Sequence, residues 1–231
     1  GTLAAEFVPK ARQDGYTLAL AALSTHVSNP AVSRSIRYDP LSDFAPITRL
    51  LVLPSVTVVR MDSRHRSLHD LLTSARLRPG TVTFASPGIG TAGHVLMEQL
   101  AHLAGVRFIH VPYRGTTGML ADLLGGHLEV ASDNIPTLLP FLSDGRLRAV
   151  AVRDVERVSQ LPDIPTYKEL GFGSVSYPLW FGLVAPARTP IEIVTLLNES
   201  VHRAMRSPTF VQRAEAGAAR LSPSSPEEFR A

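Results

Sequence analysis

Hydrophobic and polar positions follow two alternating periods along the chain. Leu3, Phe7 and Ala11 recur near 3.6 residues and predict an opening helix, which Asp14-Gly15 stops before a strand over 16–22. Ser24-Thr25-His26 closes that strand, and a helical turn near 30–35 leads to Tyr38-Asp39-Pro40. Segments 44–53 and 55–60 read as two strands around Pro54. Ser67 caps a helix running through Leu71 and Ala75, which Pro79-Gly80 ends before a strand over 81–85. A glycine-rich loop, Ser86-Pro87-Gly88-Ile89-Gly90-Thr91, then opens a helix over 92–103, and Gly105 separates it from a strand over 106–111, completing a βαβ unit.

The same pattern repeats as helix 117–124, strand 128–132, helix 135–143 and strand 147–152, so the middle of the chain reads as one compact α/β lobe. A loop-rich stretch with Pro162, Pro165, Gly171, Gly173 and Pro178 holds one short helix, 166–170. Strand 179–184 follows, then a helix from Pro190 with Ile193, Leu196, Leu197 and Val201 on one face, and a helix over 208–216. Ser225-Pro226-Glu227-Glu228 has the cap, first-position proline and acidic first turn of a further helix. Alternating helices and strands predict an α/β fold with a largely parallel sheet.

Composition narrows the classes. The 231 residues fit one or two domains, at roughly 100–200 residues each, and 45% hydrophobic with 19% charged residues is enough for a packed core. No run reaches the ~18 apolar residues of a membrane helix. With Cys 0 there is no disulfide, thiolate metal site or cysteine nucleophile. Basic residues (23) barely exceed acidic ones (20) and are spread along the chain, which argues against nucleic-acid binding.

Each candidate site carries two readings. Gly88-x-Gly90-x-x-Gly93 between a strand and a helix matches a dinucleotide fingerprint, but the next strand ends in Tyr113-Arg114 instead of the acid that holds a ribose. An arginine there suits a 2′-phosphate, so a phosphorylated nicotinamide cofactor stays open, beside a plain tight turn. The favoured reading is capture of a smaller anion, such as a carboxylate, by the loop amides with the Ser86 and Thr91 hydroxyls. Arg114 can grip a carboxylate or make a salt bridge. Asp133 and Asn134 end a strand where α/β sheets bind ligands, or cap the next helix. His26 is a ligand donor or a loop histidine, and Trp180 packs in the core or walls a cleft. His65 and His69 fall at solvent-type helix positions, no HExxH or other metal spacing occurs, and Ser86 has no evident base nearby for hydrolysis.

Taken together, Asp14-Gly15-Tyr16-Thr17-Leu18, Thr25-His26 with Asn29-Pro30, Tyr38-Asp39-Pro40 with Asp43-Phe44-Ala45-Pro46, the loop from Ser86 to His94, Val111-Pro112-Tyr113-Arg114-Gly115, Asp122-Leu123-Leu124-Gly125-Gly126, Leu161-Pro162-Asp163-Ile164-Pro165-Thr166 and Trp180-Phe181-Gly182-Leu183 resemble the Bug-type solute-binding proteins of tripartite tricarboxylate transporters. The resemblance spans nearly the whole chain. It implies a periplasmic binding protein of the type II kind, with two α/β lobes around a ligand cleft and two crossover strands near 58–61 and 180–184. Residues 1–60 with 182–231 would form one lobe and 61–181 the other. It further implies a monomer without cofactor or metal that is neither an enzyme nor membrane-spanning, whose partners are a small carboxylate and the membrane permease subunits. The implied ligand contacts are Thr25, His26, Ser86, Gly88, Ile89, Gly90, Thr91, Tyr113, Arg114, Asp133, Asn134 and Trp180. Family members open with a further strand and a proline- and glycine-rich loop and close with a longer helix, so lobe 1 is expected to lack both here, and with them part of the ligand clamp. The signal peptide is likewise expected to lie outside these residues. The alternative is an NADP-binding oxidoreductase built on the Gly88-x-Gly90-x-x-Gly93 loop.

Overall fold

A computed structural model describes residues 1–33 and 35–230. In chain order the elements are α1 (Thr2–Phe7), β1 (Ala19–Ala22), α2 (Asn29–Val32), β2 (Phe44–Leu53), β3 (Ser55–Arg60), α3 (Leu68–Leu77), β4 (Thr83–Ser86), α4 (Ala92–Ala104), β5 (Ile109–Pro112), α5 (Thr116–Leu124), β6 (Val130–Asn134), α6 (Ile135–Ser143), β7 (Leu147–Arg153), β8 (Leu179–Pro186), α7 (Ile191–Met205), α8 (Pro208–Ala216), β9 (Arg220–Leu221) and α9 (Pro226–Arg230). They fall into two compact units, Gly1–Leu53 with Leu179–Ala231, and Pro54–Pro178. These divisions lie a few residues before the 60/61 and 181/182 boundaries expected from sequence. Among the described residues no helix is long and apolar enough to cross a membrane.

In the first unit a four-stranded sheet runs β1-β8-β2-β9 with every pairing antiparallel. Its apolar side chains gather on Ala5, Val8, Phe44 and Val184, and separately on Ile47, Ala185 and Val194 of α7. Segment 24–28, just after β1, winds as one π-helical turn. The Ser225 capping box forms: Glu228 N–H donates to Ser225 Oγ at 3.1 Å and Ser225 N–H to the Glu228 carboxylate at 2.8 Å.

In the second unit a five-stranded sheet runs β5-β4-β6-β3-β7, in which β5, β4 and β6 are parallel and β3 is antiparallel to both neighbours. The largely parallel sheet expected from sequence is therefore corrected. Helical crossovers do set β4, β5 and β6 parallel, but β3 follows no helix and inserts between β6 and β7 in the opposite sense. Helix α3 shows the local logic: Ser67 Oγ accepts the Asp70 N–H at 3.1 Å, and Leu68, Leu71, Leu72 and Ala75 are buried at i, i+3, i+4 and i+7. With Phe84, Leu96 and Leu100 they make the core, each fully buried leucine contributing about 1.5–3 kcal/mol. The short helix expected over 166–170 is instead a single turn. Glu169 and Thr166 exchange the two bonds of a capping box, but Phe172 N–H already returns to Tyr167 C=O, and Gly171, at φ 90, turns the chain away.

Candidate ligand-binding site

Three parallel strands deliver their carboxyl ends side by side, and the candidates of the second unit collect there. β4 ends at Ser86, β5 leads into Tyr113 and Arg114, and β6 ends in Asp133 and Asn134. Tyr113 N–H donates to Ser86 C=O at 3.1 Å, Gly115 N–H to Pro87 C=O at 2.9 Å, and Thr116 Oγ1 to the Asp133 carboxylate at 2.5 Å, so the loops after the three strands are laced to one another.

The glycine loop is held mostly from within. Gly88 N–H donates to Ser86 Oγ (3.3 Å), Gly90 N–H to His94 Nδ1 (3.2 Å) and Thr91 N–H to Gly88 C=O (3.2 Å), while Thr91 Oγ1 also donates to Gly88 C=O (2.7 Å). Three of the amides offered by the motif are thereby spent. Ile89, 69% exposed at the tip, makes no hydrogen bond through its N–H among the described residues, and the first-turn amides of α4 have no intrahelical acceptor. Gly90 sits at φ 75, where a side chain would be strained. Gly93 is needed for another reason: a Cβ there would stand 2.2 Å from Ser132 O.

Two histidines that the sequence reading passed over support this loop. His110 stacks on Phe84 (4.6 Å between centroids) and on His94 (4.0 Å), and its Nε2 lies 2.7 Å from Ser86 Oγ. Ser86 therefore does have an imidazole beside it, contrary to expectation. Its hydroxyl is nonetheless buried and also donates to Gly88 C=O, an arrangement for holding a turn instead of attacking a substrate. Burial, then the neighbouring His94, push the His110 pKa down to about 4, and burial lowers His94 as well against the pull of Glu98. Register could have revealed the pair, since Phe84 pairs with His110 in the β4–β5 ladder and His94 follows Gly90 by one helical turn.

Around the loop, Arg114 is exposed and makes no ion pair among the described residues. Tyr113 donates to Asp122, and burial, with the Asp122 carboxylate behind it, raises its pKa to about 12. Asp133 is 8% exposed, its pKa raised by burial although Thr116 and the Asn134 N–H (2.8 Å) both donate to it. Asn134 occupies the N-cap position of α6 with no side-chain cap, which leaves its amide available. His65 corrects a further expectation: it lies ahead of α3 and is 1% exposed.

The remaining candidates belong to the first unit. Thr25 is buried, and its hydroxyl accepts Ala22 N–H (3.1 Å) and meets His26 Nδ1 (2.9 Å), so it is spent on its own turn. His26 packs against Phe44 (4.8 Å) and edge-on to Trp180 (6.5 Å), and Trp180 meets Phe229 at 5.5 Å. These rings wall a cavity of about 360 Å³ with Leu41 and Val184, and His26 Nε2 has no partner among the described residues. Burial lowers the His26 pKa, keeping the ring neutral. Among the described residues no cluster of acids and histidines could hold a metal ion.

The family profile described as tripartite tricarboxylate transporter family receptor, TctC, matches residues 1–225. The chain belongs to the TctC receptor family. Among curated relatives, the UPF0065 protein of the tcbD-tcbE intergenic region of a Pseudomonas species is 35% identical over 92% of this TctC-family chain. The chain spans only 63% of that relative's length. Protein BugT of Bordetella pertussis is 31% identical over the whole chain, which covers 71% of BugT. Among solved structures, the periplasmic binding protein BugD superposes with TM-score 0.90 at 27% identity over 99% of this chain and 77% of its own. A Rhodopseudomonas palustris protein solved with adipate gives 0.92 at 33% identity (100% and 77%), and MatC from the same organism, with bound malate, gives 0.86 at 30% (94% and 74%). The α/β fold of this TctC-family chain is thus that of periplasmic binding proteins.

Proposed function

We propose that the chain is the binding part of an extracytoplasmic receptor that captures a small carboxylate in the periplasm, without changing it chemically, and as a monomer hands it to the membrane subunits of a tripartite transporter. The observation that carries this reading is the set of donors left over at the carboxyl ends of β5, β4 and β6: the Ile89 N–H, the first-turn amides of α4, the Arg114 guanidinium and the Asn134 amide, with no acid among the described residues paired to Arg114. Donors without acceptors suit an anion. Ser86, Gly88, Gly90, Thr91 and Tyr113 then act mainly by shaping the loop, and Asp133 by anchoring Thr116 and the Asn134 backbone. In the first unit His26 and Trp180 wall that unit's own cavity, and Thr25 fixes the turn that carries His26. The adipate and malate found with similar proteins support the ligand class.

The oxidoreductase alternative finds less support, because a pyrophosphate needs the loop amides that Ser86, His94 and Gly88 already occupy. Thermal unfolding with small mono- and dicarboxylates and with NADPH separates the two. A carboxylate that binds the folded state must raise the melting temperature by mass action. Expected is a saturable rise with at least one carboxylate, recovered unchanged after incubation, and none with NADPH. A rise with NADPH alone would overturn the reading.

A further inference from the structure

Arg153, the last residue of β7, has a side chain that the loop account leaves unused. It is 0% exposed, yet only one edge of its guanidinium is satisfied: Nη1 donates to Ala92 C=O at 3.3 Å, while Nε and Nη2 have no partner among the described residues. Its flat face lies 4.1 Å over the Tyr177 ring, whose hydroxyl is turned to Gln99 at 3.2 Å. No carboxylate of the described residues stands within salt-bridge reach. A buried, unpaired cation costs several kcal/mol, so the fold keeps this one only where something offsets that cost.

The surroundings point to an anion. Nε and Nη2 form the side edge of the guanidinium, whose two parallel N–H groups match the two oxygens of a carboxylate, and a stacked face leaves that edge free. Arg153 is paired in register with Ser55 on β3, whose hydroxyl, like that of Ser132 near the end of β6, is buried without a partner among the described residues. Ser132 lies directly beneath Gly93, and Nη1 rests on the carbonyl of Ala92, which begins α4, so the guanidinium sits at the first turn of a 13-residue helix, whose N-terminal dipole favours negative charge. Orphaned hydroxyls, an orphaned guanidinium edge and a helix N-terminus all lack the same thing.

We propose that Arg153, with Ser55 and Ser132, forms a second anion subsite beneath the start of α4, which makes the chain select ligands carrying two negative groups over those carrying one. This rests on the carboxylate-binding reading and adds to it the charge count of the ligand. Arg153 is then a specificity-determining residue, and R153M, which keeps an apolar chain against Tyr177, is the informative variant, with R153K as its charge-preserving partner.

The test has two readouts. First, the melting temperature is followed against sodium malonate at constant ionic strength. Expected is a saturable rise in the wild type, lost in R153M and partly kept in R153K; an equal rise in R153M, or no response in the wild type, would overturn the subsite. Second, the affinities for adipate and hexanoate, which differ by one carboxylate at equal chain length, are compared by calorimetry. Expected is a wild-type preference for adipate of about tenfold or more that falls towards one in R153M, as loss of a charge-assisted bond requires. An unchanged ratio in R153M refutes the selectivity. If malonate acts through Arg153 but neither acid binds, the receptor reading fails while the subsite stands. Should R153M not fold, R153K and R153Q carry the same comparison.

Discussion

His110 shows how one side chain can couple loop shape to pH. Its folded pKa of about 4 lies below the ordinary value of 6.5, so the folded chain prefers the neutral ring. Below pH 6.5 the unfolded chain takes up a proton that the folded chain refuses; the stabilisation is therefore complete above 6.5 and is lost as the pH falls towards 4. His94, stacked on it, responds in the same direction. The ring is partly exposed, which trims the effect to roughly 1–2 kcal/mol. Urea melts at pH 7 and pH 4.5 are expected to show a smaller difference for H110Q than for the wild type, and an identical difference would contradict the role. Gly93 answers to sterics alone. In G93A the new methyl meets Ser132 O, so a loss of about 1–3 kcal/mol is expected from the same melts. Neither residue announced its work from sequence: the glycine was visible as part of a motif, but His110 gains its meaning only when two strands pair, and Arg153 only when it proves to make no ion pair among the described residues.

At the scale of elements the sequence was most readable where structure is local. Helix α3 needs only its own residues, a serine cap and apolar positions at helical spacing, and it forms where expected. S67A should cost about 1 kcal/mol, read as a drop in melting temperature, with the ladder of β4 and β5 untouched in hydrogen exchange. Segment 166–170 carried equally good capping signals and made one turn only, because Tyr167 is drawn into the core, where its hydroxyl meets Thr57 at 2.6 Å. Tertiary burial there overrides a local preference. Strand direction was legible for β4, β5 and β6, which helices join, and illegible for β3, whose partners lie more than seventy residues away along the chain. The glycine loop shows the same limit. Its position between strand and helix was evident, but which amides face outward depends on Ser86 and His94 side chains that bond back into it.

For the whole molecule, the family was carried by many short motifs in order, and the match over residues 1–225 agrees with them. Motif order follows ancestry and so survives where individual contacts cannot be read. The central claim is narrower: a small carboxylate sits on the donors left free at the ends of β5, β4 and β6. It is tested most directly by following backbone amide resonances of the isotope-labelled protein during titration with adipate. Saturable shifts are expected at Ile89, Ala92, Gly93 and Arg114, with Gly90, whose N–H is held by His94, moving least. Shifts confined to residues away from this loop, or none at any adipate concentration up to the millimolar range at which weak sites fill, would contradict the claim.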